Sequence, residues 1–174
     1  MSDRELIVYA CPVGELNEKI EAYFRKTRDV CGANSAHNYM PHCSLTGFFQ
    51  DSETAISSDV EILNRLLKLS EISIKITGMT FKEHWHGLEI NAPELKTTIA
   101  DFIAESQAIS DPKNLRSKDW LHLSFAYNFE AGNYEILKKI ALDSIDINAP
   151  VQWEIRFYQR HEDGSWTCHQ SWTV

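Results

Sequence analysis

Two H-x-S triplets, His42-Cys43-Ser44 and His122-Leu123-Ser124, stand 80 residues apart in a chain of 174. In an extended strand, residues i and i+2 share a face. Each triplet therefore presents an imidazole and a hydroxyl to one surface and turns Cys43 or Leu123 to the other. Two such pairs facing one cleft suit phosphodiester chemistry without a metal. A neutral imidazole removes a proton from water, a protonated one gives a proton to the leaving oxygen, and the hydroxyls donate to phosphate oxygens. Histidine fits both roles because its ordinary pKa of ~6.5 permits either state near neutrality.

The triplet count alone proves little. From 7 His, 15 Ser and 9 Thr, about one chance H-x-[ST] is expected, and a third, His169-Gln170-Ser171, is present. The first two differ by their matched flanks. Pro41-His-Cys-Ser-Leu-Thr-Gly-Phe-Phe49 lies over Leu121-His-Leu-Ser-Phe-Ala-Tyr-Asn-Phe129, with His, Ser and the final Phe identical. His169 lacks such flanks and reads as a surface or edge-strand residue.

The elements that must hold these residues repeat as well. Leu6–Cys11 reads as a buried strand ended by Pro12 and Gly14, and Glu15–Val30 as a helix with Leu16, Ile20, Tyr23, Phe24 and Thr27 inward. A polar stretch, 33–39, leads to a strand over His42–Phe49. A helix over Thr54–Leu69 follows, then a half-buried strand carried by Ile72, Ile74 and Ile76. The second set is a strand over Trp85–Asn91, a helix over Pro93–Ala108, a strand over Leu121–Asn128, a helix over Asn133–Leu142 and a strand through Val151–Phe157. Glu162-Asp163-Gly164 is a turn signal, and Trp166–Thr173 can return as a closing strand. Shifted by about 80 residues, the first five elements fall on the second five. The expected fold is α+β: one domain over 1–174, with an internal repeat of 5–83 and 85–174. The two β-α-β-α-β halves pack about a pseudo-twofold axis around a central cleft.

Composition bounds the function. The net charge of −8, from 17 Lys+Arg against 25 Asp+Glu, argues against gripping long nucleic acid through the overall field. A small anion held by a few local groups fits better. The apolar run after Asp3-Arg4-Glu5 is only six residues, too short for a signal peptide or a membrane span. Cys11, Cys31, Cys43 and Cys168 form no C-x-x-C pair, so reduced thiols in a cytoplasmic setting are expected, with Cys11 and Cys43 as buried strand residues.

These motifs resemble the 2H phosphoesterase superfamily, whose signature is two H-x-[ST]-φ motifs on paired central strands. The similarity is greatest to the 2H domain of the TULA (suppressor of T-cell receptor signalling) proteins. It rests on Cys31-Gly32-x-Asn34-x-Ala36-His37-Asn38, on Pro41-His42-x-Ser44-Leu45 with Phe48-Phe49, and on Leu121-His122-x-Ser124-x-Ala126-Tyr127-x-Phe129. The resemblance implies a bilobal LigT-like fold and hydrolysis of 2′,3′-cyclic phosphates or related phosphodiesters, with no metal or other cofactor. It implies His42 and His122 as the acid–base pair and Ser44 and Ser124 as phosphate donors. Both hydroxyl positions are Ser where many members have Thr, which keeps the donor and loses a rigid methyl. The ubiquitin-binding, SH3 and phosphatase parts of the TULA proteins have no counterpart in these residues, so their signalling role is not expected to carry over.

Further candidates flank the motifs. His37 and Asn38 can reach the cleft or stabilise a turn. Tyr39, Trp120 and Tyr127 can stack on a base or belong to the core. Lys113, Arg116 and Lys118 can steer a phosphate or lie in a solvated loop. His84-Trp85-His86 has same-face spacing for a metal pair, but no acidic or Cys set accompanies it. The expected substrate is a nucleotide or an RNA end, turned over by a monomer away from membranes. The competing reading is a module that binds a terminal or cyclic phosphate without turnover. Intact imidazoles weigh against it, since Lys or Arg would serve binding alone.

Overall fold

Leu16, Ile20, Tyr23, Phe24 and Thr27 recur at helical spacing after Gly14, and all five are buried in the computed structural model, which describes residues 4–174. Their helix is α1 (Glu15–Cys31), and it follows strand β1 (Arg4–Val13). A 3₁₀ turn, Ser35–Asn38, precedes β2 (Cys43–Ser44) and β3 (Phe49–Asp51). Next come α2 (Glu53–Leu69), whose first turn is capped by the Ser52 hydroxyl, and β4 (Lys75–Lys82). The second half supplies β5 (Trp85–Asn91), α3 (Pro93–Ile109), β6 (His122–Tyr127), α4 (Tyr134–Ser144), β7 (Gln152–Arg160) and β8 (Trp166–Thr173).

The strands form one antiparallel sheet in the order β4-β5-β6-β2-β1-β7-β8, with β3 paired to β1. The third long strand of each sequence half pairs with the first strand of the other, β4 with β5 and β7 with β1. The two β-α-β-α-β sets are thus interleaved about the β2–β6 contact. The helices pair in the same way, α1 with α4 and α2 with α3. All four bury their apolar stripes against one sheet face, where Leu6, Val8, Leu123, Phe125, Ile155 and Phe157 point. The other face carries Ile7, Tyr9, Cys11 and Tyr158, packed by Met40, Phe48 and Trp166. This division leaves one sheet face free for a site.

Two expected strands are corrected. The run His42–Phe49 does not form one strand: it pairs as β2, breaks, and resumes as β3. At the break the chain turns to new partners. Buried Thr46 accepts the Val8 N–H through its hydroxyl at 3.1 Å, and Gly47 N–H donates to the Arg116 carbonyl at 3.0 Å. Bridges Thr46–Ser117 and Gln50–Lys113 bind the 113–118 loop along this gap. The strand placed on Ile72–Ile76 begins only at Lys75 and runs on to Lys82. Ile72 and Ile74 do pack against the core, but their backbone lies beyond the last β5 partner, Asn91. Among the described residues, no helix is long and apolar enough to cross a membrane. All four cysteines are free thiols, with Cys11 and Cys43 buried.

Candidate active site

The β2–β6 junction is a single ladder pair, Cys43 opposite Leu123. Both side chains go to the helix-covered core, so their neighbours in each strand must face the other way. Extending the antiparallel register by one residue sets His42 against Ser124 and Ser44 against His122. Each imidazole therefore meets the other half's hydroxyl. All four line one cavity of about 130 Å³, together with Ala36, Tyr39, Met40 and Tyr127. A water occupies ~30 Å³ of liquid, so the cavity has room for a group of only a few heavy atoms.

Both rings are oriented by main chain. His42 Nδ1 lies 2.7 Å from the Met40 carbonyl and His122 Nδ1 3.1 Å from the Trp120 carbonyl. A carbonyl only accepts, so each Nδ1 carries the proton and each Nε2 is left with a free lone pair. The ring of His42 also lies against Tyr9, with centroids 4.0 Å apart. Trp120 stacks on His122 at 3.7 Å and 27°, while its own indole N–H donates to Glu89 at 2.6 Å.

Electrostatics separates the two histidines. Burial pushes the His42 pKa down to about 4, against the Met40 carbonyl bond that favours the charged ring, and the neighbouring His122 lowers it further. His122 is also lowered, chiefly by burial. The Trp120 carbonyl and Glu89 oppose that shift, while Lys118 and Lys82 add to it. The unliganded site holds two neutral imidazoles at neutral pH, and His42 is the harder to protonate.

The structure brings Tyr39 and Tyr127 to the cavity wall. Trp120 lies beyond it as the outer cover of His122, 41% exposed. His37 does not reach the cavity. Its Nδ1 accepts the Asn34 N–H at 3.1 Å and its Nε2 donates to the buried Thr27 hydroxyl at 3.2 Å, so it closes the 3₁₀ turn onto α1. The basic loop does not line the cavity either: Lys113 borders a separate cleft at the start of α2, and Lys118 another beside α3. His84 is exposed and His86 fully buried among Phe81, Phe125, Phe129 and Tyr134, so the two cannot share a metal. No cluster of three or more His, Cys, Asp or Glu able to hold a metal occurs among the described residues. His169 sits on edge strand β8, bonded to the Gln159 side chain at 3.1 Å.

Sequence reasoning missed Tyr9, Glu89 and Trp85, all on first strands of the two halves. Tyr9 faces Ser44 and Glu89 faces His122 across the ladders. Trp85 donates its indole N–H to Ser124 Oγ at 2.7 Å. Alternation in β1 carried a signal for Tyr9, because Leu6, Val8 and Ala10 already fill the helix side.

No family model matches the chain. Among curated proteins, it is 28% identical over 165 residues to mouse "Ubiquitin-associated and SH3 domain-containing protein B", covering 90% of this chain and 25% of that protein. It is 28% identical over 181 residues to the Bombyx mori "Ecdysteroid-phosphate phosphatase", covering 98% of this chain and 26% of that protein. The chain thus spans about a quarter of the length of the curated relatives it matches. Among solved structures, E. coli LigT complexed with 3′-AMP superposes with a TM-score of 0.66 at 12% identity, covering 100% of this chain and 99% of that one. The chain has a LigT-like fold and is a sequence relative of the ubiquitin-associated and SH3 domain-containing proteins.

Proposed function

We propose that this chain is a phosphoesterase that hydrolyses 2′,3′-cyclic phosphates of a nucleotide or an RNA end. The observation that carries the reading is the single cavity into which His42, Ser44, His122 and Ser124 converge, with Nδ1 of each imidazole tied to a carbonyl. The substrate's phosphoryl group occupies the cavity, and the nucleoside lies outside it, near Tyr39 and Tyr127. Water attacks phosphorus and yields its proton to His42 Nε2. One P–O bond of the cyclic ester breaks, and the departing oxygen takes a proton from His122 Nε2. Ser44 and Ser124 donate to the non-bridging oxygens as charge builds there.

The unequal environments support a division of roles. His42, at a pKa of about 4, stays neutral and serves as base. His122 has Glu89 favouring its charged form, and an anionic substrate adds to that, so it serves as acid. The LigT likeness and the phosphatase named among the relatives support the phosphoester reading. The reaction draws on these side chains alone.

The test is incubation of purified protein with 2′,3′-cyclic and 3′,5′-cyclic nucleotides, short 2′,5′-linked oligonucleotides and cyclic-phosphate-ended RNA. Turnover of a 2′,3′-cyclic phosphate that is lost in His42→Ala and His122→Ala supports the proposal. Binding without turnover across the whole panel replaces it with a phosphate-binding module.

A further inference from the structure

The two halves treat their serines differently, and the difference centres on Gly87. In the first half Tyr9 stands opposite Ser44; at the equivalent place in the second half Gly87 stands opposite Ser124. A Cβ on residue 87 would overlap the ring of Trp85 and the Leu123 carbonyl. The missing side chain is what lets the Trp85 indole lie across the strand and bring Nε1 to 2.7 Å from Ser124 Oγ. The ring is fixed from outside too, 4.8 Å from Trp120 and edge-on to His122 at 5.3 Å and 85°.

An indole N–H can only donate, whereas a serine hydroxyl carries one donor and two acceptor lone pairs. The Trp85 bond therefore occupies Ser124 as an acceptor and leaves its O–H to point elsewhere, and Ser124 borders the cavity. Among the described residues no N–H bond holds the Ser44 hydroxyl in this way. We infer that Trp85, seated by Gly87, is a positioning residue that presets the Ser124 hydroxyl as a phosphoryl-oxygen donor, making it the dominant donor of the two. This deepens the proposed function and rests on it. A donor aimed in advance avoids reorientation as charge develops, which is where such groups contribute most to rate.

The experiment compares wild type, Trp85→Phe, Ser124→Ala and the double variant on the best 2′,3′-cyclic substrate, with thermal midpoints to confirm folding. Trp85→Phe keeps a ring and removes only the N–H. Its kcat should fall on the order of tenfold, part of the ~10²–10³ span of a lost oxyanion donor, with KM nearly unchanged. The double variant should be no slower than Ser124→Ala, because the indole acts only through that hydroxyl. Wild-type kcat in Trp85→Phe, or losses that multiply in the double variant, would overturn the inference, since a packing role adds to the loss of the hydroxyl. If wild type hydrolyses nothing, the hydrolase reading fails on its own, and calorimetric titration of the same proteins with inorganic phosphate decides this one. Trp85→Phe weakening phosphate as Ser124→Ala does supports it. Affinity unchanged in Trp85→Phe, or no phosphate binding by wild type, overturns it.

Discussion

Cys43 and Leu123 face each other in the one ladder pair that joins β2 to β6, and both are fully buried on the helix side of the sheet. A strand's side chains alternate strictly, so a one-residue slip in either strand would send its imidazole and hydroxyl into the helix-covered core. The apolar pair thereby fixes the polar one. His42 and His122 reach the same cavity because Cys43 and Leu123 cannot leave theirs. Removing either imidazole should cost on the order of 10²–10⁴ in rate, the usual span for a general acid or base. Circular dichroism should show His42→Ala and His122→Ala still folded. A folded variant with near wild-type turnover refutes the paired mechanism.

The pH profile should place the optimum of kcat/KM on the acid side of 6.5. The proposed mechanism needs His42 neutral and His122 protonated. His42 gains its proton only as pH falls to about 4, and burial holds His122 below its ordinary value. The rising limb in the free protein therefore sits near 4 and the falling limb below 6.5. A bound phosphodiester anion favours both charged rings, so the kcat profile should move to higher pH than that of kcat/KM. The limbs belong to the coupled pair. A single alkaline limb with no loss of activity down to pH 4 would argue against His42 as base.

Much of this site was legible from residue types and spacing, because periodicity is local. The helix faces, β5, β8 and the two imidazole–hydroxyl pairs follow from alternation along single elements. What was not legible depends on partners distant in sequence. The gap after Ser44 exists because Thr46 and Gly47 bond to Val8 and to the Arg116 loop. His37 turns to Thr27 of α1, from which it is separated by the helix end. The Trp85–Ser124 bond needs a register in which Gly87 leaves space, and no pattern within β5 reveals that.

Hydrolysis should persist in excess EDTA. His84 and His86 are the nearest thing to a ligand pair in the sequence, and the β4–β5 turn leaves one in solvent while the other is sealed in aromatic side chains. Rates measured before and after dialysis against chelator should agree. Loss of activity that zinc or manganese restores would count against the proton-transfer mechanism.

His86 should make the fold acid-sensitive. Neither ring nitrogen has a hydrogen-bond partner among the described residues, and burial lowers its pKa to about 4. Unfolded, it binds a proton at ~6.5. Between those values the unfolded state holds the extra proton, so stability falls as pH drops from 6.5 toward 4. His86→Phe removes this dependence. The difference in unfolding free energy between variant and wild type should shift in favour of the variant by on the order of 3 kcal/mol across that interval. Urea titrations at several pH values measure it, and parallel curves for the two proteins would rule it out.

Asp59 should act with the opposite sign. It is 1% exposed on α2, where Oδ1 accepts the Ser106 hydroxyl of α3 at 2.7 Å and Oδ2 has no partner among the described residues. Burial raises its pKa to about 6; the Ser106 bond lowers it and Asp51 raises it. The folded state therefore keeps a proton that the unfolded chain releases near 4, so this contribution is fully present below that value and is lost as pH rises through 6. Asp59→Asn cannot ionise, whatever its fixed cost at the site. Relative to wild type, its stability should improve between pH 4 and 7 by on the order of 2–3 kcal/mol. The same urea series reads this directly. A difference that stays constant over that range would mean Asp59 ionises as readily in the fold as in the open chain, and that the α2–α3 interface admits water at this point.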